Sequence, residues 1–147
     1  MNVMIARIFN IAGPGQAENL LPMTFIRQIG EMKTGHNNIL RVGNVEPTRD
    51  FVDVRDIASA FSAIIRNGKS GEVYNVASGS EISINDLIMR VIQLGGMDVS
   101  IVTECDRVRA TDVPRVLADI SKINSHTGWK PSIPLEDSLR DMWDRYS

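Results

Sequence analysis

Apolar residues recur along this chain at two spacings, and the switching between them predicts a mixed order of strands and helices. Val3 to Phe9 is short, apolar and rich in β-branched residues, the pattern of a buried strand, and it ends at Asn10 and the turn formers Gly13, Pro14 and Gly15. Leu21, Phe25, Ile29 and Met32 then fall at helical spacing, which predicts a helix over Leu20–Met32. Ile39–Val42 reads as a strand before a Gly43-Asn44 turn, and Phe51–Asp53 as extended. Ile57, Ala60, Phe61, Ile64 and Ile65 make an amphipathic helix, capped by Asp56 and closed by Asn67-Gly68. Glu72–Val76 is a strand. Ser83 followed by Asp86 resembles a capping box opening a helix that ends at Gly95-Gly96. Val99–Thr103 is a strand, Asp119 caps a short helix to about Thr127, and Pro134 opens a last helix with Leu135, Leu139, Met142 and Trp143 on one face.

The resulting order is strand, helix, strand, strand, helix, strand, helix, strand, helix, helix, an α/β or α+β arrangement. No repeat, low-complexity tract or linker divides residues 1–147, so the chain reads as one continuous unit. At 147 residues it can bury roughly two-thirds of its unfolded surface. A net charge of −2 without a basic run excludes the electrostatic footprint of a nucleic-acid or anionic-membrane binder, yet leaves room for a few arginines aimed at a small phosphorylated ligand. Cys105 is the one cysteine, which rules out an internal disulfide, fits a reducing cytosol and leaves that thiol a bystander. The N-terminus lacks the charge and apolar length of a signal peptide, and no stretch approaches the ~18 apolar residues of a membrane span. His36 and His126 have no ligand-like neighbours, so no metal site is expected.

Three loops combine arginines, short amides and turn backbone, the groups that hold a diphosphate. The first runs from Asn10 through Gly13-Pro14-Gly15-Gln16 to Asn19. The second is Gly43–Asp50, leading to Arg49. The third is Arg107–Pro114, carrying Arg109 and Asp112. Each residue alone has a plainer reading. Asn10 could close a turn, Asn19 could cap the helix at Leu20, and Asp53 and Asp56 read as structural.

Together, however, Arg7-Ile-Phe-Asn10-Ile-Ala-Gly-Pro14, Asn19-Leu-Leu-Pro22, Arg49-Asp-Phe-Val-Asp-Val54, Arg109-Ala-Thr-Asp112-Val113, Glu72-Val-Tyr-Asn-Val-Ala-Ser-Gly79 and Gly128-Trp-Lys-Pro131 resemble, in order, the C-terminal half of the extended short-chain dehydrogenases/reductases acting on nucleotide-sugars, the NAD-dependent epimerase/dehydratase family. The resemblance covers essentially the whole chain. Gly43-Asn44 and Asp53-Val-Arg-Asp56 point within it to the GDP-6-deoxy-hexulose reductases and GDP-mannose 4,6-dehydratases. It implies a Rossmann-type α/β fold whose sheet includes the strands near 3–9 and 72–76. It also implies a GDP-sugar held by Asn10, Asn19, Arg49, Arg109 and Asp112, with Arg7 approaching the cofactor.

The other half of such an enzyme has no counterpart in this sequence. There is no Gly-x-x-Gly-x-x-Gly or Gly-x-Gly-x-x-Gly turn to seat a dinucleotide, and Gly68-Lys69-Ser70 fails as a phosphate loop because position 63 is alanine. Tyr74 is followed four places on by Ser78 and Tyr146 is penultimate, so the family's Tyr-x-x-x-Lys is missing and no catalytic residue is expected here. NAD(P) belongs to the complete enzyme and is not expected to bind this chain alone. The two sheet strands would be left with open edges, inviting a separate N-terminal half or a second copy. The alternative is a non-catalytic nucleotide-sugar-binding or interaction module built on the same scaffold.

Overall fold

A computed structural model describes residues 2–35, 37–104 and 113–147. Its elements are β1 (Ile5–Ile8), β2 (Asn10–Ala12), α1 (Met23–Met32), β3 (Ile39–Val42), β4 (Thr48–Asp53), α2 (Val54–Asn67), β5 (Val73–Val76), β6 (Glu81–Ser83), α3 (Ile84–Gly95), β7 (Ser100–Thr103), β8 (Arg115–Val116), α4 (Ser121–Thr127) and α5 (Leu135–Tyr146). Every longer expected element is present. The short strands β2, β6 and β8 carry too few residues for a periodicity to register.

β1 pairs β5 in parallel, Ile5 opposite Val73. β3 pairs β7 in parallel, Ile39 opposite Ser100. β4 is the hub of a third sheet. Its first half is flanked by antiparallel β6 and parallel β8, and its second half by parallel β2, with Asn10 opposite Phe51. Alternate residues of β4 point to opposite faces. Phe51 enters a core built from α1 (Phe25, Ile26, Ile29), α3 (Leu87, Ile88, Val91) and α5 (Leu139, Met142, Trp143). Val52 enters a second core of Ile57, Ala60, Ile64, Tyr74, Val76, Ile123 and Trp129. One strand therefore joins the two cores.

Some boundaries differ from the sequence reading. The helix expected from Leu20 begins at Met23, because a proline drives the residue before it out of the α region and Pro22 stands directly before Met23. Asn19 thus caps nothing. It sits in a turn closed by Leu20 N–H donating to the Ala17 carbonyl at 3.1 Å. The strand expected over Val3–Phe9 is shorter and breaks at Phe9, where the chain leaves β5 and moves to β4. The cap of α2 is Asp53, whose carboxylate accepts the Arg55 N–H at 2.8 Å, and not Asp56. Asp56 lies in the first turn and is buried. It holds the 132–133 loop through Ser132 N–H, Ser132 Oγ and Ile133 N–H at 2.9–3.0 Å. Asp119 stands two residues before α4 and accepts the Ser121 N–H at 2.8 Å, with Ile120 in the cap position. Ser83 caps α3 as expected, and Gly96 closes it in the left-handed region at φ 65°.

Candidate functional site

β4 carries the chemistry of this chain. Arg49, half-buried near its start, donates from Nη1 to the carbonyls of Thr48 and Val113, each at 2.8 Å. Its neighbour Asp50 is fully buried and accepts from Ser78 N–H (2.8 Å), Ser78 Oγ (2.7 Å), Gly79 N–H (3.0 Å) and Ala118 N–H (3.3 Å). Asn10, on the adjoining strand β2, donates from Nδ2 to the Asp50 carbonyl at 3.1 Å. The Arg-Asp pair thus divides its labour. Asp50 turns inward to tie two loops, at Ser78-Gly79 and at Ala118, while Arg49 faces a cleft.

That cleft, about 250 Å³, lies between α1 and the β3–β4 connection and is lined by Leu21, Phe25, Gln28, Asn44, Pro47 and Arg49 among others. Ligand pockets usually span about 300–1,000 Å³, so this one is shallow for a nucleotide. Its lining combines apolar side chains with the Gln28 and Asn44 amides and the Arg49 guanidinium, which suits a base and a phosphate. Larger hollows of about 400 and 520 Å³, near Arg90–Glu136 and near Lys130, contain none of the residues that the sequence nominates. Arg90 in the former is ion-paired with Glu136.

One edge of the site is pinned. Thr48 N–H donates to the Pro114 carbonyl at 3.0 Å, and Arg115 forks onto Glu81 at 2.7–3.0 Å. Arg115 and the Thr48 hydroxyl together hold the Glu81 carboxyl down at about 2. These ties fix residues 113–116 against β4. On the far side, burial alone would raise the Asp53 carboxyl. Hydrogen bonds from Arg55 and Ser138 outweigh it and hold that carboxyl below its usual range.

Of the nominated residues, Arg49 lines the cleft, and Asn10 is tied to the residue beside it. Asn19 is exposed in the turn preceding Leu21 and is not among the lining residues. Arg7 is exposed on β1 opposite Asn75, and it too is not among the residues lining the cleft. Arg109 and Asp112, with Cys105, lie outside the described residues. Asp50 and Gln28 escaped the sequence reading. A lone carboxylate between Arg49 and the apolar pair Phe51-Val52 was the available signal for Asp50, because a charge entering a buried strand must be fully hydrogen-bonded. Gly13 was nominated for its turn, and the structure supplies the reason: at φ 138° a Cβ there would stand 2.7 Å from Val54 Cγ1. Among the described residues no cluster of His, Cys, Asp or Glu could hold a metal, and no helix is long and apolar enough to cross a membrane.

The mixed α/β layout and its parallel pairings match the Rossmann-type fold of the short-chain dehydrogenases/reductases. The family model for GDP-mannose 4,6 dehydratase matches residues 1–142, and the chain belongs to that family. Over 139 residues it is 39% identical to GDP-6-deoxy-D-mannose reductase of Pseudomonas aeruginosa, covering 94% of this chain and 46% of that protein. GDP-L-fucose synthase 1 of Arabidopsis thaliana is 30% identical over 143 residues, covering 93% and 43%. The solved structure of RMD from Pseudomonas aeruginosa complexed with NADPH superposes with a TM-score of 0.91 at 36% identity, covering 99% of this chain and 48% of that one. UDP-glucose 4-epimerase of Thermotoga maritima, solved with UDP-glucose, gives 0.84 at 25% identity. The chain thus spans a little under half the length of these relatives.

Proposed function

We propose that this chain is the nucleotide-sugar-holding portion of an NAD(P)-dependent enzyme acting on a GDP-linked hexose, either a reductase or a 4,6-dehydratase. The observation that carries the reading is Arg49. Its side chain lines the cleft, and its Nη1 is held by the Thr48 and Val113 carbonyls. In this reading Arg49 meets the diphosphate, and Asn10 and Asn19 shape the approach from the β2 loop. The family resemblance assigns Arg109 and Asp112 to phosphate and ribose respectively. The chain positions the sugar and supplies no catalytic residue. A misplacement of about 1 Å can cost ~100-fold in rate, so positioning is a real share of catalysis. NAD(P), with the proton-transferring tyrosine and lysine, belongs to a dinucleotide-binding half, which a separate polypeptide or another segment supplies. GDP is preferred over UDP because Gly43-Asn44 follows the GDP branch, and because the relatives at 39% and 30% identity bear GDP-sugar names.

Calorimetric titration of the purified chain with GDP, GDP-mannose and UDP tests this. The expected result is selective binding of the guanine nucleotides, weakened at least tenfold in Arg49→Ala with the melting temperature preserved. Equal binding of GDP and UDP, no binding by a folded sample, or an Arg49→Ala chain of undiminished affinity would refute it.

A further inference from the structure

Arg49 is oriented from a distance. Of the two carbonyls that accept from its Nη1, that of Thr48 belongs to the preceding residue, and that of Val113 lies 64 positions further along the chain. Among the described residues no carboxylate pairs with this guanidinium, so its direction depends on where the Val113 carbonyl stands. A long side chain left loose must be ordered at the moment of binding, at the expense of affinity.

Val113 leads into β8, and β8 is too short to place itself. It has two residues, with Arg115 opposite Thr48 and Val116 opposite Arg49. A ladder of that length does not support itself. The carboxylate of Glu81, on β6, ties it down. The Arg115 guanidinium forks onto Glu81, with Nε 2.9 and 3.0 Å from its two oxygens and Nη2 2.7 Å from Oε1. The Thr48 hydroxyl donates to the same carboxylate at 2.6 Å. One side chain thus joins β4, β6 and β8 beside Arg49. Arg115 and Thr48 hold this carboxyl at about 2, so it is ionised at any working pH. The Arg115 side chain is 65% exposed, and an ion pair so placed adds little to global stability. Its bidentate geometry fixes a direction instead.

We propose that Glu81 and Arg115 are positioning residues for the nucleotide site: their ion pair fixes β8, and with it the Val113 carbonyl, and so orders the Arg49 guanidinium at the cleft before ligand arrives. The inference deepens the nucleotide reading given above and rests on it. Neither residue lines the cleft, so both act through Arg49 and not on the ligand. Ordering one rotamer-rich side chain in advance changes affinity about threefold to tenfold.

Two measurements test this. Calorimetric titration with GDP compares the unsubstituted chain with Arg115→Ala, Glu81→Gln, Arg49→Ala and the double variant Arg49→Ala/Arg115→Ala. Nuclear magnetic relaxation of the Arg49 Nε signal, assigned by its loss in Arg49→Ala, reads the order of that side chain without ligand. Arg115→Ala and Glu81→Gln should each lower the Arg49 order parameter and weaken GDP binding about threefold to tenfold, with the melting temperature preserved. Added to Arg49→Ala, Arg115→Ala should change affinity by less than about twofold, because the two act as one unit. Arg115→Lys keeps a charged donor for Glu81 and should recover part of the loss. An Arg49 order parameter unchanged in both variants would overturn the proposal, and so would undiminished GDP affinity in both. An equal further loss on top of Arg49→Ala would also overturn it, by making Arg115 a phosphate ligand in its own right. If the unsubstituted chain binds no nucleotide while Arg115→Ala still disorders Arg49, the ion pair's role stands and the nucleotide reading alone is refuted.

Discussion

Replacing Asp50 by asparagine isolates what a buried carboxylate does beside the cleft. The side chain is fully buried, and its two oxygens accept four hydrogen bonds, two from Ser78 and one each from Gly79 and Ala118. Asparagine keeps one acceptor oxygen. Its best orientation serves both Ser78 donors and turns an NH₂ group towards the Gly79 and Ala118 amides. Two donors then face a donor. Each unsatisfied buried group costs about 1–3 kcal/mol. The Gly79 end is exposed and can rehydrate, and the Ala118 bond is the longest of the four at 3.3 Å, so the expected loss is about 2–4 kcal/mol. At this chain length that corresponds to a fall of roughly 5–15 °C in melting temperature. Thermal and urea unfolding followed by circular dichroism measures it, with the urea slope unchanged if the native state stays compact. A shift below about 2 °C would refute the account. If Asp50→Asn instead melted normally but lost nucleotide binding, Asp50 would be a ligand group and not a staple.

Two further substitutions probe the frame. Asp53 has its carboxyl held low in the folded chain, so the unfolded chain binds the extra proton. Its contribution is complete above the ordinary carboxyl value and is lost as pH falls through the lowered one. Asp53→Asn should therefore flatten stability against pH between about 5 and 3, and an unchanged acid limb would contradict the assignment. Tyr74 is fully buried, with its hydroxyl accepting Lys69 N–H at 2.8 Å and lying 3.0 Å from His126 Nδ1. Tyr74→Phe should cost about 1–3 kcal/mol of unfolding free energy and leave GDP affinity unaltered, whereas a loss of affinity at full stability would give this tyrosine a functional role.

Local rules accounted for much of this chain. The helical spacings of Phe25 and Ile29, of Ile57, Ala60 and Ile64, and of Leu139, Met142 and Trp143 each specify one buried face, and those residues are the two cores. Ser83, Gly96 and Pro134 announce helix ends because capping is chemistry within one turn. The linear order of short motifs was enough for the family. What local pattern could not supply is pairing. β2, β6 and β8 exist only because β4 lies beside them, and so short a strand has no stable form of its own. The assignment of Asp53 as cap and Asp56 as loop staple turned on which carboxylate the 132–133 loop reaches, a contact across more than seventy residues. Arg49 was legible as a phosphate-seeking arginine, but its placement at the cleft depends on carbonyls at Thr48 and Val113. The open flank of α2 is the clearest case. Phe61 and Ile65 read in sequence as part of a single buried face. Only the tertiary packing, which spends Ile57, Ala60 and Ile64 on the core and Ser59 on a bond to Trp129, leaves them exposed.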